Sequence, residues 1–205
     1  MVGASGHQRQ AYVEQGRTDW ETMLLRRAEE LKPGGRLCLF NFGIDDHGRY
    51  LGNTGGVNMF HTFNALWSGL VADGLITEEE YLNTNFPQCY RTKSEFVAPL
   101  EDRNNPVFKA GLRLEHVESR VVRCPFEKDF TENHLDPVRF SQEYIPTLRS
   151  WSEPTFVNGL SSNRPEAEKN HIIDTFYERY RALVSKDPDG HAMDYVHIYL
   201  VCRKL

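Results

Sequence analysis

Glu29-Glu30-Leu31-Lys32-Pro33-Gly34-Gly35-Arg36-Leu37-Cys38-Leu39-Phe40-Asn41-Phe42-Gly43 contains a helix end, a tight reversal and the start of a strand. Upstream of it Tyr12, Trp20, Met23, Leu24, Ala28 and Leu31 recur at helical spacing. Asp19 and Glu21 lie nearer the start and Arg26, Arg27 and Lys32 nearer the end, the order that the helix dipole favours. Pro33 stops the helix, and Gly34 or Gly35 supplies the left-handed residue of the cap. In the strand that follows, Leu37 and Leu39 alternate with Cys38, Phe40 and Phe42, so both faces are apolar. Such a pattern predicts a strand covered on both sides, as in the middle of a layered α/β sheet.

Composition narrows the function. With 205 residues, 40% of them hydrophobic and 12% aromatic, the chain is long enough for one sizeable core with an appended cap. The net charge of -5 and scattered Lys and Arg leave no electrostatic footprint for nucleic acid or an anionic membrane, so neither is expected as a partner. Cys38, Cys89, Cys124 and Cys202 are far apart, form no C-x-x-C, and read as reduced thiols packed as small hydrophobes. No apolar run approaches the ~18 residues of a membrane span, and the opening MVGASGHQRQ is neither a signal nor a transit peptide. A soluble, cytoplasmic protein is expected.

After the strand, residues 43–56 are rich in Gly, Asp and Asn and read as a loop, within which Asp45-Asp46-His47 is a solvated run rather than a metal site. Met59, Phe60, Phe63, Leu66, Trp67 and Leu70 then mark a helix. Thr77 with Glu80, and Thr92 with Glu95, are capping boxes that open two further helices, so Glu78 to Glu80 is a helix start and not a catalytic carboxylate cluster. Leu112 to Val122 alternates imperfectly, which suggests an edge strand or a bulge. An aromatic helical stretch around Phe140 to Leu160 leads to an amphipathic helix carrying Ile172, Ile173, Phe176, Tyr180, Leu183 and Val184, closed by Asp187-Pro188. The final strand sets Val196, Ile198, Leu200 and Cys202 against Tyr195, His197, Tyr199 and Val201. It reads as buried on both faces and therefore central. No internal repeat or low-complexity segment occurs.

A central strand after LKPGG, an edge strand, and a last strand inserted between them is the C-terminal half of a class I methyltransferase sheet. The residues Ala11, Tyr12, Gln15, Asp19, Leu25, Arg27, Ala28, Glu30, Leu31, Pro33, Gly34, Gly35 and Arg36 resemble the corresponding segment of the plant carboxyl methyltransferases of the salicylic acid, benzoic acid and theobromine type, the SABATH family. Three more blocks agree in order and spacing: LVADGLITEEEYLNTNFPQCY, LRSWSEP, and the closing YVHIYLVCRK. LKPGG alone is shared by many methyltransferases; the four blocks together are specific.

The resemblance implies a Rossmann-like α/β core with a helical cap inserted into it. Residues 1–54 would form a helix and central strand of the core, 55–110 the cap, 111–124 an edge strand, 125–165 the second part of the cap, and 166–205 the last helix and a central antiparallel strand. It also implies S-adenosylmethionine as cofactor. No G-x-G-x-G occurs in the chain, so its main site is expected in a preceding half, and the chain reads as the C-terminal half of an enzyme, inactive by itself. Methyl transfer to a carboxylate, already ionised at neutral pH, needs no general base. Positioning and exclusion of water are what the protein has to supply, and no catalytic acid, base or nucleophile is expected.

Met59, Phe60, Tyr90, Leu148 and Trp151 fall where the family places substrate contacts. Phe60 stands where the enzymes that methylate aromatic acids carry Trp, and Trp151 where they carry a small aliphatic residue. Where some members bind magnesium, this chain has Leu82, Thr84 and Asn85, so no metal is expected. Read from the residues alone, each of these aromatics is ordinary core packing, and His61 and His197 are structural. The implied activity is methylation of a small-molecule carboxylate, with a homodimer as the oligomeric expectation. A small-molecule N- or O-methyltransferase of the same fold, or a non-catalytic binding module, are the alternatives.

Overall fold

The structure is a computed structural model that describes residues 6–205. The opening residues 1–5, part of the stretch read above as carrying no targeting signal, lie outside it. In chain order the elements are α1 (Gly6–Glu30), β1 (Arg36–Ile44), α2 (Met59–Ala72), α3 (Glu78–Asn83), β2 (Arg91–Thr92), α4 (Lys93–Glu101), α5 (Pro106–Lys109), β3 (Leu112–Val122), α6 (Pro125–Glu132), α7 (Pro137–Gly159), α8 (Glu166–Lys186) and β4 (Tyr195–Lys204).

Among these residues the strands form one mixed sheet in the order β2-β1-β4-β3. The last strand in sequence does lie between the other two long ones and runs antiparallel to both. β3 is an edge strand, and its imperfect alternation has a physical cause, a register shift between Leu114 and His116. The turn after α1 is built as its residues require: Gly34 takes φ 81, and the Gly34 N–H donates to the Lys204 carbonyl at 2.8 Å, pinning the start of β1 to the end of β4. Both capping boxes are formed, Thr77 with Glu80 and Thr92 with Glu95.

Two apolar clusters hold the fold together. The first joins Trp20, Leu24 and Ala28 of α1, Phe96 and Leu100 of α4, and Val107 of α5 to Ile198, Leu200 and Cys202 of β4. Leu37, Leu39 and Val117 pack at its margin, so one face of the sheet lies under α1, α4 and α5. The second cluster is helical, with Phe63 and Trp67 of α2, Phe140, Tyr144 and Phe156 of α7, and Phe176 and Tyr180 of α8 at its centre.

The other face of the sheet departs from the expectation of strands buried on both sides. Phe40 is 70% and Phe42 42% exposed, Cys38 is exposed, and Tyr195 lies open at the start of β4. Alternation of apolar residues reports which faces are meant to be covered, and among the described residues nothing covers this one.

β2, missed in the sequence, is a two-residue parallel pairing of Arg91 and Thr92 with Gly43 and Ile44. Gly43 makes it possible, since a Cβ there would lie 2.9 Å from the Arg91 carbonyl oxygen and 2.3 Å from Ile198 Cγ1. Gly43→Val is therefore expected to push β2 off β1 and cost about 1–3 kcal/mol, the usual penalty of overpacking. Thermal unfolding measures it, and an unchanged Tm would refute the close approach.

Candidate functional site

The β1–β2 pairing carries the preceding linker, Gln88-Cys89-Tyr90, up to the C-terminal end of β1. There a cavity of about 560 Å³ opens. Phe42 of β1 and Tyr195 of β4 wall it on the sheet side. Thr147, Ser150 and Trp151 of α7 wall it on the helical side, with Gln88, Cys89, Tyr90, Leu51 and Met193 completing the lining. Ligand clefts of α/β folds occupy this position, outside the carboxyl ends of the strands. A second cavity of about 220 Å³ lies on the other side of Tyr90 and Gln88, between Ile44, Tyr50, Phe60, His61 and Arg9.

The walls are aromatic and their polar groups are largely engaged. Tyr50 stacks on Tyr90 with ring centroids 5.4 Å apart, and the Asn58 side chain, which caps α2, donates to the Tyr50 hydroxyl at 2.9 Å. The Tyr90 hydroxyl donates to the Gln88 side-chain oxygen. Burial, with Tyr50 beside it, pushes the Tyr90 phenol well above its ordinary range, so it stays a neutral donor at any working pH. Trp151 meets Phe63 at 6.0 Å, Phe86 at 6.1 Å and Phe60 at 6.5 Å, so one side of its ring is core and another is cavity wall. Its indole N–H is buried and has no hydrogen-bond partner among the described residues. The side chains lining the larger cavity carry no formal charge; Arg9 and His61 belong to the smaller one.

Of the residues singled out in the sequence, Tyr90 and Trp151 come together in the larger cavity, and Phe60 with Tyr90 in the smaller. Met59 and Leu148 lie fully buried in the helical cluster behind them. His61 borders the smaller cavity and His197 the uncovered face. Phe42, Tyr195, Gln88, Cys89, Thr147, Ser150 and Met193 went unread as site residues. The first two look like core strand residues, and the others carry no local signal.

At the mouth of β1 the carboxylates are occupied. Burial alone would raise the Asp45 carboxyl, but the Arg49 backbone N–H and guanidinium, together with the His47 N–H, outweigh it and hold it below the usual range; Asp46 pairs with Lys93 at 2.6 Å. Thr84 accepts from the Trp67 indole at 3.0 Å and donates to the Glu80 carbonyl, while the Asn85 amide donates to Tyr12. Among the described residues no group of three or more His, Cys, Asp or Glu is arranged to hold a metal ion, and no helix is long and apolar enough to cross a membrane.

Comparison with known proteins places this architecture. A family model described as SAM dependent carboxyl methyltransferase matches residues 3–205. Among curated proteins, probable caffeine synthase 2 of Camellia sinensis is 24% identical over 200 residues, covering 96% of this chain and 48% of the relative. Caffeine synthase 1 of Camellia crassicolumna is 23% identical over 201 residues with the same coverage. The solved structure of loganic acid methyltransferase with SAH superposes with a TM-score of 0.67 at 21% identity, over 98% of this chain and 52% of that one. The chain thus spans about half the length of the relatives it matches. It belongs to the SAM-dependent carboxyl methyltransferase family.

Proposed function

We propose that this chain supplies the acceptor-binding side of a SAM-dependent methyltransferase that methylates the carboxylate of a small, flat, largely apolar molecule. The observation that carries the reading is the aromatic, uncharged cavity at the end of β1, bounded by Phe42, Tyr90, Trp151 and Tyr195. In this reading the cofactor's main site lies in the half of the relatives that this chain does not span, and the carboxylates nearest the strand end, held by Arg49 and Lys93, are in keeping with it. What they supply is the other side of the reaction.

A carboxylate inside such walls is stripped of water, with no cation of the lining to blunt its nucleophilicity, and the neutral ester left after methylation fits the same surface. The Trp151 N–H, without a partner among the described residues, is the donor that would orient it, while Tyr90, whose proton goes to Gln88, contributes its ring face. The caffeine synthases among the relatives favour a second reading, a ring nitrogen of a neutral heterocycle as acceptor, which the same uncharged lining accommodates.

A chimera in which these 205 residues replace the matching half of the loganic acid methyltransferase tests both. Given labelled S-adenosylmethionine, aromatic and alicyclic acids and a xanthine, it is expected to yield base-labile esters. Base-stable N-methyl products alone would transfer the assignment to the second reading. No product from any acceptor, with cofactor bound, would favour a non-catalytic module.

In that chimera Trp151→Phe keeps the ring and loses the N–H, and Trp151→Ala loses both. The Ala variant is expected to raise KM about tenfold, the effect of roughly 1.4 kcal/mol of lost contact, and to change the ranking of acceptors. The Phe variant should fall between, with Tm nearly unchanged. A loss above ~3 kcal/mol in stability with the acceptor ranking intact would make Trp151 a core residue and nothing more.

A further inference from the structure

A further cavity, of about 510 Å³, opens between α1 and α4 and takes no part in the acceptor reading. Val13 and Trp20 of α1 and Ala98 and Pro99 of α4 form its apolar walls, with Ile44 at the end of β1. Its volume is that of a small-molecule site and not of a packing defect. The deepest wall is fixed in place: the Trp20 indole N–H donates to the Phe96 carbonyl at 3.0 Å, and the ring meets Phe96 edge to face at 5.0 Å. Cys89 and Tyr90 line both this cleft and the larger cavity, so the two lie back to back across the linker.

The charges around the cleft differ in what they are free to do. Arg17 is held by Glu14 at 2.6 Å and by Glu21 at 2.9 Å. Arg91 donates to the Gly16 carbonyl and lies over the Phe96 ring, 5.7 Å from its centroid. Glu95 closes the capping box with Thr92. Asp102 accepts only the Asn104 N–H, at 2.9 Å, and Arg9 has no hydrogen bond or ion pair among the described residues. These two free charges, one of each sign, stand at opposite ends. Gly16 meets Arg91 and Trp20 meets Phe96, so α1 and α4 run side by side in the same sense. Arg9 therefore lies at the end marked by Tyr90 and Ile44, where it also borders the smaller cavity, and Asp102 at the end where α4 gives way to α5.

We propose that the cleft between α1 and α4 is a second binding site, for a flat, apolar molecule that carries a single carboxylate. The carboxylate pairs with Arg9, and the apolar body lies against Val13, Trp20, Ala98 and Pro99. Asp102 selects against a second anionic group at the far end, and the apolar walls select against a small hydrophilic anion. An acid held in this way has its oxygens engaged by a guanidinium, so the cleft holds the molecule and does not ready it for reaction. The proposal stands on the cleft alone and needs no methyl transfer.

Three probes share one ring system and differ in charge: 2-naphthoate, naphthalene-2,6-dicarboxylate and 2-naphthol. Each is titrated calorimetrically into the 205-residue chain at about pH 7, where the carboxylates are ionised. The expected result is a dissociation constant of tens of micromolar for 2-naphthoate, with the other two at least about tenfold weaker. Arg9→Gln should bring 2-naphthoate down to the affinity of 2-naphthol. Ala98→Trp, at an exposed position that lines only this cleft, should fill it and abolish binding with Tm unchanged. Val13→Trp repeats the block from α1, should the first variant fail to fold. Trp151→Ala, which lies outside the cleft, should leave binding intact. No binding of 2-naphthoate at about 1 mM would overturn the proposal, as would a dicarboxylate bound as tightly as the monoacid or an Arg9→Gln variant of full affinity. Wild-type binding by the blocked variants, with loss in Trp151→Ala, would also overturn it and move the acid to the acceptor cavity.

Discussion

Titrated with S-adenosylmethionine, the 205-residue chain alone is expected to show no saturable binding below about 1 mM, and to form no methyl ester with any acid. The cofactor is a zwitterion with a ribose, and each of its polar groups needs a partner fixed in place before binding can exceed the cost of ordering it. At the end of β1, where the aromatic cavity opens, Asp45 is spent on Arg49 and the backbone, Asp46 on Lys93, and Tyr90 on Gln88. The lining of the cavity holds neither a carboxylate nor a cation, and so no partner for the ammonium and carboxylate of the cofactor's amino-acid end together. The chimera with the matching half of the loganic acid methyltransferase replaced should by contrast bind S-adenosylmethionine in the micromolar range, a gain of roughly 4 kcal/mol. Isothermal titration of both, under one buffer, decides the matter. Micromolar binding by the chain alone would reveal a cofactor site within these residues and remove the ground for assigning it elsewhere.

The sequence carries the elements well where local rules dominate. Pro33-Gly34-Gly35 ends α1 and starts β1 because only glycine takes the φ of 81 found at Gly34, and Thr77 and Thr92 open their helices with reciprocal side-chain bonds. The broken alternation of Leu112 to Val122 corresponds to the shift at Leu114/His116 on an edge strand. The order of the long strands is legible too, since a last strand apolar on both faces belongs inside a sheet. The same reasoning misjudges Phe40 and Phe42: periodicity shows that a face is built for cover and is silent about which polypeptide covers it. The site is less legible than the fold. Tyr90 and Trp151 come forward through resemblance to a family, not through any pattern of their own. Gln88, Thr147, Ser150 and Met193 become neighbours only when β2 docks on Gly43 and α7 packs on α8. No window of sequence contains that juxtaposition.

Glu80 shows the same limit in energetic terms and carries the second large expectation. In the sequence it completes a capping box, and it does accept the Thr77 N–H at 2.8 Å. In the structure the same carboxylate also accepts the Ser161 N–H at 2.9 Å and two bonds from the Arg164 guanidinium, at 2.5 and 2.7 Å, tying α3 to the loop between α7 and α8. The pair is secluded, with side-chain exposures of 4% for Glu80 and 17% for Arg164. The Arg164 bonds, helped by the Ser161 and Thr77 N–H groups, overcome the cost of burial and hold the Glu80 pKa at about 2. A carboxyl depressed in the folded state stabilises the protein above its unfolded pKa, near 4.5, and that contribution drains away as pH falls towards 2. The difference is worth about 3 kcal/mol. Glu80→Gln should cost a similar amount at pH 7, because Arg164 loses its buried counter-charge and keeps only the more exposed Glu168. It should also flatten the fall of stability between about pH 5 and 2. Glu79→Gln, one residue away on the exposed side of α3, should do neither. Urea unfolding of the three proteins across that pH range measures both effects. If Glu80→Gln unfolds at the wild-type midpoint, or keeps the wild-type acid slope, the latch does not fix α7 against α3, and the placement of Thr147, Ser150 and Trp151 along the cavity must come from the aromatic packing alone.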